Sequence, residues 1–168
     1  MAQTQGPANA FDRAKTPAQW YCLLAGLSLL LAGILGFFVD AGFDTGNGVD
    51  GDSLIVFEVN GIHNLVHIAS GLVLLAASRT RRSARAVAIG FGLVYGLVAL
   101  IGIIDGSDVI GLIPVNGADN ALHVALALLG IIAGVISRND DRARSTATID
   151  RGTNPSFTGE RDAEAPRR

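Results

Sequence analysis

Three histidines and one aspartate are the residues of this chain whose types and spacing could do chemistry. His63 and His67 lie four residues apart, and so do Asp119 and His123. On a helix that spacing puts both members of a pair on one face. Three imidazoles and one carboxylate form a ligand set that suits Zn(II) and that Cu(II) or Fe(II) also accepts. If the two helices are neighbours, the four groups converge. Asn60, Asn64, Asn116 and Asn120 accompany them in sequence, which opens a purely structural reading. In that reading His67 and His123 hydrogen-bond Asn64 or Asn120 across the helix pair, at roughly 0.6–2 kcal/mol per bond in a membrane. Asp119 then serves as an anion at the start of its helix, much as in a capping box. Haem between His67 and His123 is a further option, although the chain has no c-type attachment motif.

These residues belong to one motif written twice. Val59-Asn60-Gly61-Ile62-His63-Asn64-Leu65-Val66-His67-Ile68-Ala69 recurs as Val115-Asn116-Gly117-Ala118-Asp119-Asn120-Ala121-Leu122-His123-Val124-Ala125, each match 56 residues after its partner. Each copy opens a long apolar run. Asn60 and Asn116 read as N-caps, which puts His67 and His123 roughly 10 Å along the helix, given a rise of 1.5 Å per residue. His123, Ala127, Gly130 and Gly134 fall on one stripe, and His67 and Gly71 begin another. Stripes of small residues face other helices, so both histidines should point into the protein.

The elements that position them read as membrane spans. The 168 residues are 49% hydrophobic and 17% charged, against roughly 25% charged in an ordinary soluble domain. No Lys or Arg occurs between Lys15 and Arg79 or between Arg85 and Arg138. Four apolar stretches fill those gaps, at about 20–39, 60–77, 86–104 and 118–136, each near the roughly 20 residues a helix needs to cross. The first is longer than the roughly 7–15-residue core of a signal peptide, so a retained span is expected. All thirteen Lys and Arg lie in the N-terminal arm, the Arg79–Arg85 turn or the C-terminal tail. The 40–58 and 105–118 loops carry only acidic charges, which predicts cytoplasmic termini and outer acidic loops. A weaker likeness links Leu31–Phe38 to Leu97–Ile104 at an offset of 66. The two halves are then parallel helical hairpins, whereas inverted repeats mark many transporters. Gly92/Gly96 and Gly130/Gly134 offer close-packing faces, including for a homo- or hetero-oligomer. The net charge of −2 gives nucleic acid no electrostatic footing. The lone Cys22 excludes an intrachain disulfide and reads as a buried thiol.

His63-Asn64-Leu65-Val66-His67-Ile68-Ala69-Ser70-Gly71-Leu72 resembles the signature of a known family. So do Tyr95-Gly96-Leu97 with the following Ala99-Leu100-Ile101-Gly102, and Pro114-Val115-Asn116 leading to Asp119-Asn120-Ala121-Leu122-His123. The chain is similar, over about Ala18 to Ser137, to bacterial four-span membrane proteins grouped as domain of unknown function 4383. The resemblance implies a four-helix integral protein of the inner membrane and carries no activity with it. The Gly- and Asp-rich first outer loop, Asp40 to Asp52, departs from the shared pattern.

The sequence therefore predicts an all-α fold, a four-helix transmembrane bundle of two parallel helical-hairpin repeats. Residues 1–17 form a cytoplasmic arm, 18–137 the membrane domain and 138–168 a disordered cytoplasmic tail. The preferred function is non-enzymatic: a plasma-membrane protein in contact with lipid, without cofactor, locked by a polar clamp of Asn60, Asn64, His67, Asn116, Asn120 and His123. The alternative is a metal- or haem-binding membrane protein using His63, His67, Asp119 and His123. A small channel or transporter component is the weaker alternative, because the spans hold no Lys or Arg.

Overall fold

Thr16 starts the first helix. Its side chain accepts the Gln19 N–H while Gln19 Oε1 accepts the Thr16 N–H, a capping box with Pro17 at the first helical position. Helix α1 runs Pro17–Gly36. The computed structural model describes the backbone of residues 14–153 and the side chains of 14–137. Asn60 accepts the His63 N–H at 2.8 Å and opens α2, Gly61–Ala77. Thr80 caps α3, Arg81–Asp105, which ends on Gly106 at a φ of 96°, a left-handed position that suits glycine. Asn116 Oδ1 accepts the N–H groups of Ala118 and Asp119, and Asp119 Oδ2 accepts the Asn116 N–H. That reciprocal box opens α4, Gly117–Thr153.

Three segments are long and apolar enough to cross a membrane: Pro17–Gly36, Arg81–Asp105 and Gly117–Ser137. Helix α2 has 17 residues, roughly 25 Å at 1.5 Å per residue, a little short of the hydrocarbon thickness. Helices α1, α3 and α4 start one to five residues before the predicted spans, α2 starts one residue after, and α1 stops three residues sooner, at Gly36. Beyond Ile136 the difference is larger. Residues expected to be disordered continue α4 as far as Thr153. No Gly or Pro lies between Gly134 and Gly152 to break it. The remainder of the predicted tail, 154–168, and most of the N-terminal arm lie outside the described residues.

Each helical hairpin has a small antiparallel β-hairpin at its bend, where the sequence predicted plain acidic loops. β1, Asp52–Leu54, pairs with β2, Phe57–Val59; β3, Asp108–Val109, pairs with β4, Ile113–Pro114. The turns place Ile55 and Ile110 at positive φ, 64° and 52°. Both β-hairpins lie over the same end of the helices, where Gly46 N–H donates to Gly111 O at 2.8 Å.

Helix α1 packs mainly on α2, and α3 mainly on α4. Small residues set the approach. A Cβ on Gly33 would lie 2.6 Å from Asn64 O, and one on Gly71 would lie 2.7 Å from Leu30 N. In the second pair, a Cβ on Gly92 would lie 2.7 Å from Ala127 O and one on Gly130 2.8 Å from Ala88 O. The glycine faces considered above for contact with another copy are thus covered within the chain, Gly92 by α4 and Gly130 and Gly134 by α3. At the opposite end from the hairpins, Ala18, Cys22, Leu74, Ala84 and Ala88 form a dry core. Large apolar residues on all four helices, such as Leu27, Leu72, Leu97 and Leu128, point outward and are more than half exposed. Such a continuous apolar exterior fits a lipid solvent. The chain is a membrane-spanning helical bundle.

Candidate functional site: a histidine cluster under the hairpin cap

The cap is tied across the two halves by a reciprocal exchange. Asn60 Nδ2 donates to Leu112 O at 3.1 Å, and Asn116 Nδ2 donates to Val56 O at 3.0 Å. Each donor and each acceptor lies 56 residues from its counterpart, the spacing of the sequence repeat. Asp108 adds a third tie. Its two carboxylate oxygens accept the N–H groups of Gly48 at 2.8 Å and Gly111 at 2.6 Å. These bonds hold its carboxyl below the usual carboxylate range.

Beneath this cap, one ring nitrogen from each of His63, His67 and His123 lies within 4.8 Å of the others. All three residues are buried, at 1%, 6% and 2% exposure. His63 is oriented by the cap: its Nδ1 lies 2.8 Å from Glu58 O. With the proton on Nδ1 donated to that carbonyl, Nε2 carries a free lone pair. That Nε2 sits 3.1 Å from His67 Nε2. Nδ1 of His67 and Nδ1 of His123 are buried and have no hydrogen-bond partner among the described residues. Tyr95 closes the far side. Its ring stands edge-on to His123 at 5.2 Å and stacks on Phe91 at 4.0 Å. The buried Tyr95 hydroxyl finds no hydrogen-bond partner among the described residues.

The other predicted site residues do different work. Asp119 is buried, but its Oδ2 accepts the N–H groups of Asn116 at 3.0 Å and Glu58 at 2.9 Å. It therefore braces the cap and does not join the imidazoles. Neither Asn64 nor Asn120 bonds a histidine. Asn64 Nδ2 donates to Asp40 O at 2.8 Å, and the Oδ1 atoms of Asn64 and Asn120 press on Gly36 and Gly102. There the glycine Cα–H groups supply weak donors. The His–Asn bonds of the expected clamp are replaced by a His–His contact, because the histidines point inward across the bundle while the asparagines pack on the preceding helix of their own hairpin. Glu58 was not singled out in the sequence. Its peptide is the hinge of the site, accepting from His63 and donating to Asp119. The run Leu54-Ile55-Val56-Phe57, rich in strand formers, is the signal that would have marked a hairpin there.

These features define a class: a membrane-spanning bundle of four apolar helices, capped at one end and carrying a buried three-histidine cluster. The chain belongs to the family described as Domain of unknown function (DUF4383), whose profile matches residues 19–136. The matched segment takes in nearly all of α1, the whole of α2 and α3, α4 as far as residue 136, both β-hairpins and all three histidines. No curated protein matches the chain, and no solved structure does.

Proposed function

We propose that this protein is a non-enzymatic metal-binding component of the bacterial inner membrane, holding one transition-metal ion with His63, His67 and His123. The observation that carries this reading is the convergence of three buried imidazoles on one point. Tetrahedral ligands at 2.0–2.1 Å from Zn(II) stand about 3.3 Å apart, and His63 and His67 already approach to 3.1 Å. The bond from His63 Nδ1 to a backbone carbonyl is the outer-shell support typical of a metal-ligating histidine. Three protein ligands leave a fourth position for water or a further donor. Haem has less support, because three imidazoles packed this closely leave no room between them for a porphyrin plane.

The orientation follows from charge. All thirteen Lys and Arg lie outside the two capped loops, which supports a cap outside the cell and both termini in the cytoplasm. The acidic loops then lie where they would attract cations. We also infer that the chain arose by doubling of one helical hairpin. The exchanged Asn60–Leu112 and Asn116–Val56 bonds support this, as do the matching contacts of Asn64 on Gly36 and Asn120 on Gly102.

Elemental analysis and an absorption spectrum of the detergent-purified full chain test the reading. One equivalent of zinc or copper should be present and should fall below a tenth of that in His67→Ala and in His123→Ala. A Soret band would point to haem instead. Protein that stays metal-free after incubation with each ion, with unchanged stability, refutes the proposal.

A further inference from the structure

The two halves differ at one place in a way that leaves a pocket. In the first half, the chain after α1 folds back over the start of α2. Gly42 O accepts the Gly61 N–H at 2.6 Å, and Asp40 O accepts from Asn64 Nδ2 at 2.8 Å. The Phe43 ring covers Gly61 so closely that a Cβ there would lie 2.7 Å from it. Two carbonyls and an aromatic ring therefore occupy the space over Gly61 and Asn64.

The second half lacks that cover. Its connection is ten residues shorter, the difference between the offsets of 66 and 56. Helix α3 instead runs on to Asp105. Gly117, the counterpart of Gly61, has nothing within 4 Å of where a Cβ would be. Asn120, the counterpart of Asn64, is only 8% exposed, yet its side chain makes no hydrogen bond among the described residues. A pocket of about 570 Å³ stands there, lined by Ile103 and Gly106 of the α3 end and Gly117, Asn120, Ala121 and Val124 of α4. That volume is within the roughly 300–1,000 Å³ of small-molecule sites. Two positions also shrink: Leu65 and Ile68 of the first half become Ala121 and Val124.

We propose that this pocket binds a flat carbonyl-bearing ring of the quinone class from the membrane. The ligand supplies what Asp40, Gly42 and Phe43 supply in the first half. Its carbonyl oxygens accept from Asn120 Nδ2 and the Gly117 N–H, and its ring lies over Gly117 against Ile103, Ala121 and Val124. Ile103 and Val124 of its lining are exposed on the outside of the bundle, so a membrane-dissolved molecule reaches it laterally. No step of electron transfer is needed for this binding. It is also independent of the histidine cluster, because no lining residue is one of the three histidines.

Equilibrium dialysis of a short-alkyl benzoquinone against the full chain in phosphatidylcholine nanodiscs tests this, with empty nanodiscs as the blank. The expected result is saturable binding at one equivalent. In Ala121→Leu/Val124→Ile, which rebuilds the first half's side chains at outward positions, affinity should fall at least tenfold with helix content and bound metal unchanged. Asn120→Ala should weaken binding as well. Absence of saturable binding, equal binding by the double variant, or a phospholipid held at the pocket that benzoquinone does not displace would each overturn the proposal. Metal content measured on the same samples separates this result from the fate of the histidine reading.

Discussion

Gly92 and Gly96 form one G-x-x-x-G motif, yet alanine should act oppositely at the two positions. A Cβ on Gly92 would lie 2.7 Å from the backbone oxygen of Ala127 and 2.8 Å from Ile131 Cγ1. Ordinary contact begins near 3.4 Å, and a backbone oxygen cannot swing aside, so α3 and α4 must separate. Overpacking of this kind costs about 1–3 kcal/mol. A Cβ on Gly96 would meet only Ala127 Cβ at 3.6 Å, a favourable contact. Both substitutions gain the same helix propensity, up to about 1 kcal/mol. The propensity gain cancels in the comparison, and Gly92→Ala should be less stable than Gly96→Ala by about 1–3 kcal/mol. Gly96→Ala itself should match or exceed the parent. Reversible unfolding in mixed micelles, followed by circular dichroism, measures the difference. Equal stabilities, or a greater loss at Gly96, would refute the packing argument.

Two further outcomes follow from the cap. Asp119→Ala should lose about 1–2 kcal/mol by orphaning the Glu58 and Asn116 N–H groups, yet keep its metal; loss of metal would restore the carboxylate to the ligand set. Asp108 has a depressed folded pKa, so its stabilisation is complete above the unfolded value of about 3.9 and fades as pH falls through the folded one. The stability gap between the parent and Asp108→Asn, measured by unfolding, should narrow as pH is lowered from 7 through the folded pKa, and a constant gap between them would contradict the role given to Asp108.

The helices were legible because their signals are local. Apolar runs opened by Asn60 and Asn116 give both the span and its start, whereas α3 begins at Arg81, five residues before the span read from its apolar run; the inward stripe of His123, Ala127, Gly130 and Gly134 follows from helical spacing alone. The convergence of His63, His67 and His123 was legible as a possibility, since shared helix faces do not say which helices are neighbours. What the sequence hid is non-local. Asp119 is a good ligand by type, and only the cap shows that two backbone N–H groups already claim it. Asn64 and Asn120 are good partners for histidine by type, and only the helix pairing shows that each meets a glycine of the preceding helix. The β-hairpins are two and three residues per strand, too short for an alternating pattern to stand out.

The mismatch of His63 with Asp119 has a physical cause in the strand residues that precede them. Asp119 accepts the N–H of Glu58 in the opposite half. The mirror of Glu58 at the repeat spacing is Pro114, which has no N–H to give. An aspartate at position 63 would therefore be a buried carboxylate with no donor from across the cap, at a substantial desolvation cost. Position 63 is released from bracing, and a histidine there can turn its Nδ1 to the Glu58 carbonyl and its Nε2 to the centre. A single proline on one strand thus breaks the symmetry of the doubled motif and frees its third imidazole. The shorter second connection breaks it again beside Asn120, so the positions where the halves disagree are the ones that can hold something foreign to the chain.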